Sequence, residues 1–256
     1  MFLNILLYSP LEQFQIVPIF PFFFGIFDFS ITNETVILFL LLFFFIVFVL
    51  SLSRNSSFSV VPGRWQSMLE IIYITILSLV NDNIRSEKSQ KFFPLVFFLF
   101  FFVMSLNLIG LVPYSFTLTS HLVVTVVLSF SVFIGINIVC VRLHGLNMFS
   151  LFLPSGTPIQ LALLLVPIEL ISYVFKPVSL SIRLFANMMA GHALLKVIAG
   201  FAYSLMSSAG LFFLMHYIPL LILIPLFGLE LGVALIQAFV FSTLICIYLN
   251  DSINLH

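Results

Sequence analysis

The run Pro177-Val178-Ser179-Leu180-Ser181-Ile182-Arg183-Leu184-Phe185-Ala186-Asn187-Met188-Met189-Ala190-Gly191-His192 decides how this chain is read. It is an apolar, helix-like stretch with one arginine near its centre, far from any polar segment. Leu184, Phe185, Met188 and Met189 flank Arg183, so nothing local solvates it. A charge deep in a membrane helix costs ~2.5–3.5 kcal/mol on insertion scales. Either the side chain snorkels or pairs near a helix end, or a function offsets that cost.

Composition bounds the class. Of 256 residues, 62% are hydrophobic and 7% charged, and the mean hydropathy is +1.28. Soluble domains carry about 25% charged residues, so the chain reads as an all-α polytopic membrane protein. The formal net charge is zero, which gives no reason to expect nucleic acid as a partner. Cys140 and Cys246 lie in apolar runs without the spacing of a metal or redox site, and read as small buried hydrophobes. No cofactor or metal is expected, and no Gly-rich phosphate loop is present, so any nucleotide chemistry belongs to a partner. From Met1 to Asn33 there is no Lys or Arg, unlike an Arg-rich transit peptide or a charged signal peptide. The expectation is a chain made inside the organelle it serves, or inserted through its own first helix.

Working outward from the central run, the apolar segments divide the chain into six helices within a single membrane domain, residues 1–256. Residues Ser9 to Ser30, with Pro10, Pro18, Pro21 and Gly25, read as an irregular or interfacial lead-in. No charge occurs between Glu34 and Arg54, which predicts helix 1 over Thr35–Ser53, since ~20 apolar residues cross a ~30 Å core. After Pro62 and Gly63, the apolar residues Trp65, Met68, Leu69, Ile72, Ile76 and Leu79 recur at three- and four-residue steps. Polar residues fall largely between them, so 63–84 is an amphipathic helix for the interface plane. The uncharged stretch from Phe92 to Val141 is too long for one span and breaks around Asn107 to Ser115, giving helices over 92–112 and 118–141. Two longer apolar stretches follow, 157–200 and 203–249, each interrupted by Pro and Gly, as strongly tilted or kinked helices are. Arg54, Arg64, Arg85, Lys88, Lys91 and Arg142 all fall on one side of these spans, which puts the N-terminus on the opposite, outer side.

The last two helices carry the chemistry. Glu169, Lys176 and Arg183 step by seven residues, a drift of only ~20° per step, so they form a polar stripe. Asn187 lies one turn past Arg183, and His192 faces roughly the other way. Glu230 and Gln237 share a face of the final helix. Any one such group can be an interhelical hydrogen bond that holds a bundle together. Two angular sets of ionisable groups on neighbouring helices suit instead a route for small ions with two entrances. Glu and His can exchange protons near neutral pH. Arginine cannot, and a fixed cation between the sets would interrupt a continuous proton wire. Rival readings are a self-contained secondary transporter, which usually shows internal repeats not seen here, and a plain membrane anchor.

At these residues the chain strongly resembles subunit a of the F-type ATP synthases, the subunit 6 of mitochondria. The resemblance runs nearly the whole length through Asn107-Leu108-Ile109-Gly110-Leu111-Val112-Pro113-Tyr114, Thr119-Ser120-His121, Pro154-Ser155-Gly156-Thr157-Pro158, the run Ser181–His192, and Leu235-Ile236-Gln237-Ala238-Phe239. It implies upright helices, one amphipathic helix on the matrix side, and a long tilted two-helix hairpin against a c-ring. It implies that Arg183 is the essential arginine facing the ring carboxylates, with Asn187 and Gln237 beside it. His192 and Glu230 would line the half-channel on the intermembrane-space side and Glu169 the one on the matrix side. Asp251 resembles a C-terminal acid of the family. The implied partners are the c-ring, other FO and peripheral-stalk subunits, and the lipid membrane. The implied place is the mitochondrial inner membrane, with proton or sodium as coupling ion left to the absent ring. Ser9-Pro10-Leu11-Glu12-Gln13-Phe14 is similar to the mature start of some members, which raises removal of Met1–Tyr8 as an expectation.

Overall fold

The computed structural model describes residues 13–24, 27–54, 63–84, 89–112, 115–145, 148, 159–207 and 215–253. Met1–Tyr8, the basic run 85–88, Pro62, Pro113, Tyr114 and the motif 154–158 lie outside the described residues. Among the described residues six α-helices dominate: α1 (Asn33–Arg54), α2 (Arg64–Asn83), α3 (Ser89–Gly110), α4 (Leu122–His144), α5 (Ile159–Met206) and α6 (Tyr217–Ile253). Among the described residues, α3, α4, α5 and α6 are long and apolar enough to cross a membrane. The chain is thus an all-α, multi-pass membrane protein.

It divides into two compact units. The first takes in the described parts of Met1–Ser56, Met104–His121 and Leu184–Ile236. The second takes in those of Ser57–Val103, Leu122–Arg183 and Gln237–His256.

In the first unit the described part of the lead-in forms short strands despite its Pro and Phe content. Strands β1 (Pro18–Phe20) and β4 (Ile31–Thr32) pair antiparallel around a second antiparallel pair, β2 (Phe23–Phe24) and β3 (Phe27–Asp28). The first pairing carries an irregularity between Pro18 and Phe20, as expected of a ladder containing a proline, which has no N–H to donate. Asn33 ties this ribbon to α1: its Oδ1 accepts from the amides of Val17 and Glu34, and its Nδ2 donates to the Gln15 carbonyl. Thr32 and Thr35 cap the helix reciprocally, each hydroxyl accepting from the other's amide at 3.0 and 3.4 Å. That is a capping-box arrangement, which satisfies two donors the first turn leaves over.

At the end of α3, Ser115 returns its hydroxyl to the carbonyls of Ile109 and Val112 at 2.7 and 2.8 Å. The segment expected as the start of the fourth helix at Leu118 is a 3-10 turn, Leu118–Ser120, and α4 begins at Leu122. The Thr117 hydroxyl donates to Ser120 Oγ, which donates in turn to the Thr117 carbonyl. Such local side-chain bonds compete with the α-helical ladder. Leu108 of α3, Leu111 just after it, Met188 of α5 and Ala234 of α6 form the packed centre of this unit.

The boundary between the last two helices also differs from the sequence pattern. Helix α5 continues through Gly200 to Met206, so Tyr203 belongs to it, and α6 begins only at Tyr217. A β-carbon at Gly200 would meet nothing within 4 Å. A glycine with no packing role gives an apolar helix no reason to stop, because unpaired backbone groups are costly in lipid. His216 lies at the start of α6 rather than within it, its carbonyl accepting from Leu220 N.

In the second unit α2 buries Ile76, Leu79, Val80 and the following Ile84, and its Tyr73 meets Phe93 of α3 edge-on at 4.9 Å. Its outer face is not uniformly polar: Met68, Ile71 and Ile74 are exposed beside Glu70, Ser78, Asn81 and Asp82. The buried face of α4 is mostly small, Thr125, Ser129, Ile136 and Cys140, which lets neighbouring helices approach closely. The Ser181 hydroxyl of α5 bonds Thr125 Oγ1 at 3.2 Å. The end of α6 buries Ala238, Phe241, Ile245, Cys246, Leu249 and Ile253, a helical stripe.

Candidate functional site

Two polar clusters stand out, one in each unit. The first grows from the packing of α5 on α6. Met188 and Ala234 meet in the core. One turn forward on α5 is His192, and one turn back on α6 is Glu230. Antiparallel packing therefore brings these two together, with His192 Nε2 at 3.6 Å from Glu230 Oε1. Gly191 makes the approach possible. A β-carbon there would stand 2.7 Å from Glu230 Oε1 and 3.0 Å from its Cδ, both far inside ordinary contact.

Glu230 is buried and His192 half-buried. The Nε2 of His192 and both carboxylate oxygens of Glu230 are out of contact with solvent and have no hydrogen-bond partner among the described residues. A separation of 3.6 Å exceeds a direct hydrogen bond. Carboxyl and imidazole are both groups that can exchange a proton near neutral pH.

Asn107 of α3 belongs to the same neighbourhood and was not among the expected site residues. It is fully buried, its Nδ2 donates to the Ala234 carbonyl at 3.3 Å, and its Oδ1 has no partner among the described residues. Its sequence signal was a lone amide in a run of Phe, Leu and Ile, which reads equally well as a helix break. The Thr119 hydroxyl is likewise buried, with no hydrogen-bond partner among the described residues.

The second cluster joins α4, α5 and α6 in the other unit. Lys176 Nζ lies 3.4 Å from Asp251 Oδ2 and stands over two aromatic rings, 5.5 Å from the centroid of Tyr173 and 5.1 Å from that of Tyr248. The Tyr173 hydroxyl donates to Asn137 Oδ1. His144 of α4 bonds the Ile253 carbonyl of α6 through Nε2 at 3.1 Å.

The remaining expected residues are placed as follows. Arg183 is exposed on α5 and makes no ion pair among the described residues. Glu169 is exposed and likewise makes no ion pair among them. Asn187 is half-buried in the first unit, and Gln237 is buried in the second. Among the described residues, no three His, Cys, Asp or Glu side chains are grouped to hold a metal ion.

Comparison with known proteins gives a consistent picture. The family model described as ATP synthase A chain matches residues 35–250. The chain is 54% identical over 250 residues to an ATP synthase subunit a of Pylaiella littoralis, covering 97% of this chain and 99% of that one. It is 50% identical to the subunit a of Marchantia polymorpha with the same coverage. It is 49% identical over 248 residues to that of Chondrus crispus, covering 97% of each.

Proposed function

The chain belongs to the ATP synthase A chain family, and from that premise we propose that it is the proton-translocating subunit a of an FO motor. In this reading residues 1–256 act as one membrane domain in the mitochondrial inner membrane, with the N-terminus in the intermembrane space. Helices α5 and α6 form the tilted hairpin that faces a c-ring, and other FO and peripheral-stalk subunits hold the chain in place. Protons enter one half-channel past Glu230 and His192 and neutralise a ring carboxylate. Rotation carries the neutral site through lipid. Near Arg183, flanked by Asn187 and Gln237, the carboxylate ionises again and releases its proton past Glu169 and Asp251. The subunit binds no nucleotide, so it is not an enzyme by itself, and it couples proton flow to catalysis elsewhere in the complex.

The observation that carries this reading is the state of Arg183. Charged groups in membrane spans almost always pair or face a water-filled cavity. Arg183 lies within an apolar span, is exposed, and has no ion pair among the described residues. A carboxylate delivered by a moving partner would supply the missing countercharge transiently, as a rotor requires. Because arginine stays protonated, it can attract each carboxylate and still relay no proton itself.

The test is ATP-driven proton pumping in the assembled complex. Arg183→Lys keeps the charge and loses the planar fork that matches a carboxylate, and it is expected to assemble and to pump at least tenfold more slowly. Pumping at the wild-type rate in Arg183→Ala would sink the reading. Pumping retained only by Arg183→Lys would replace the fork with a generic positive charge.

A further inference from the structure

Of the cluster around Lys176, only Asp251 lies on the proton route just described; Lys176, Tyr173, Tyr248 and Asn137 have no part in it. The cluster is also no ligand pocket: the cavity beside Lys176, closed by Phe133, Ile136 and Ser252, is about 10 Å³, room for about one water. It is a filled polar joint, and its position along α5 gives it a purpose. Pro177 follows Lys176 directly. Lacking an N–H, Pro177 leaves the Tyr173 carbonyl without its helical donor, and helices bend or swivel most easily at such a gap. The joint occupies this gap. Tyr173 is tied to Asn137 of α4 and Lys176 to Asp251 of α6, while beyond the proline Ser181 is tied to Thr125 of α4. The α4–α6 contact through His144 and Ile253 closes the triangle.

We propose that Lys176, held by Asp251 and the rings of Tyr173 and Tyr248, is a positioning residue that fixes the rotation of α5 across Pro177 and so aims Arg183. The proposal rests on the reading of Arg183 as the charge that meets the ring. Lys176 and Arg183 are seven residues apart, on nearly the same face and ~10 Å apart along the axis. With a helix radius of ~5–6 Å including side chains, a 20° swivel moves an arginine head by ~2 Å. A misplacement of ~1 Å can cost ~10²-fold in a positioned reaction.

The test uses the assembled complex with single cysteines at two neighbouring positions of α5, Leu180→Cys, where the native side chain is buried, and Ser179→Cys, where it is exposed. A thiol reagent reports the rotation, and ATP-driven pumping per ATP hydrolysed reports coupling. In the Lys176→Met background, labelling of Leu180→Cys is expected to rise at least fivefold relative to Ser179→Cys, and coupling to fall at least threefold. Lys176→Arg should restore both, and the reversed pair Lys176→Asp with Asp251→Lys should restore the labelling pattern. If Lys176→Met does not assemble, Asp251→Asn carries the same labelling test. An unchanged labelling ratio overturns the proposal, whatever happens to pumping, and so does a swivelled helix with full coupling. Wild-type pumping in Arg183→Ala would overturn the ring-facing reading instead, while the labelling ratio would still decide whether Lys176 holds α5.

Discussion

At the scale of single residues, the site depends on what is absent as much as on what is present. Gly191 has no side chain, and the Glu230 carboxylate occupies the space a β-carbon would need. Gly191→Ala is therefore expected to push the carboxylate away from His192 while adding only one methyl group to the core. Assembly should persist, and ATP-driven pumping should fall several-fold. Comparing native-gel assembly with pumping rates in membrane vesicles checks this, and unchanged pumping would show that the 3.6 Å approach of His192 to Glu230 is dispensable. Both residues were legible in the sequence as ionisable groups out of place in apolar helices, and the family resemblance implied that they share a half-channel. Periodicity alone did not give their contact, because a helix pattern gives the direction of a side chain about its own axis and says nothing of its depth against a neighbour. Asn107 shows the same limit. Its burial and its bond to the Ala234 carbonyl come from the packing of α3 on α6, and no local pattern specifies that.

At the scale of elements, helix ends were set by side-chain chemistry. The first turn of α1 is closed by Thr32 and Thr35 acting on each other's amides. Replacing such a cap costs about 1 kcal/mol. Thr32→Ala should accordingly speed amide exchange in the first turn of α1 by several-fold and leave the middle of α3 and α6 unaffected, as hydrogen–deuterium exchange of the complex would show. Equal exchange in the two proteins would assign the start of α1 to Asn33 alone, whose side chain also holds Gln15 and Val17. The late start of α4 has the same origin, since hydroxyls at Thr117 and Ser120 bond locally and postpone the helix. Gly200, which suggested a break, lies unmarked inside α5, because a glycine interrupts an apolar helix only when something offers its backbone another partner.

At the scale of the whole molecule, the two cysteines provide a check on packing. Cys140 of α4 and Cys246 of α6 are free and have no exposed surface. A membrane-permeant maleimide should leave both unmodified in the native complex and label both after denaturation, as intact-mass measurement would report. Labelling of either thiol in the native state would contradict the burial of the α4 or α6 face it belongs to. Reading composition and periodicity alone, the chain was already determined to be an all-α, multi-pass membrane protein with a charge that its own span does not accommodate, because membrane insertion depends on hydropathy summed over ~20 residues. The quoted motifs already pointed to its family for the same kind of reason, since they are contiguous in the chain. Tertiary structure alone decided that Glu230 meets His192 over Gly191, that Asn107 joins them through Ala234, and that Lys176 is tied to Asp251 beside Pro177. Each of these joins residues far apart in sequence. Such contacts depend on the depth and register of one helix against another, and no local pattern encodes either.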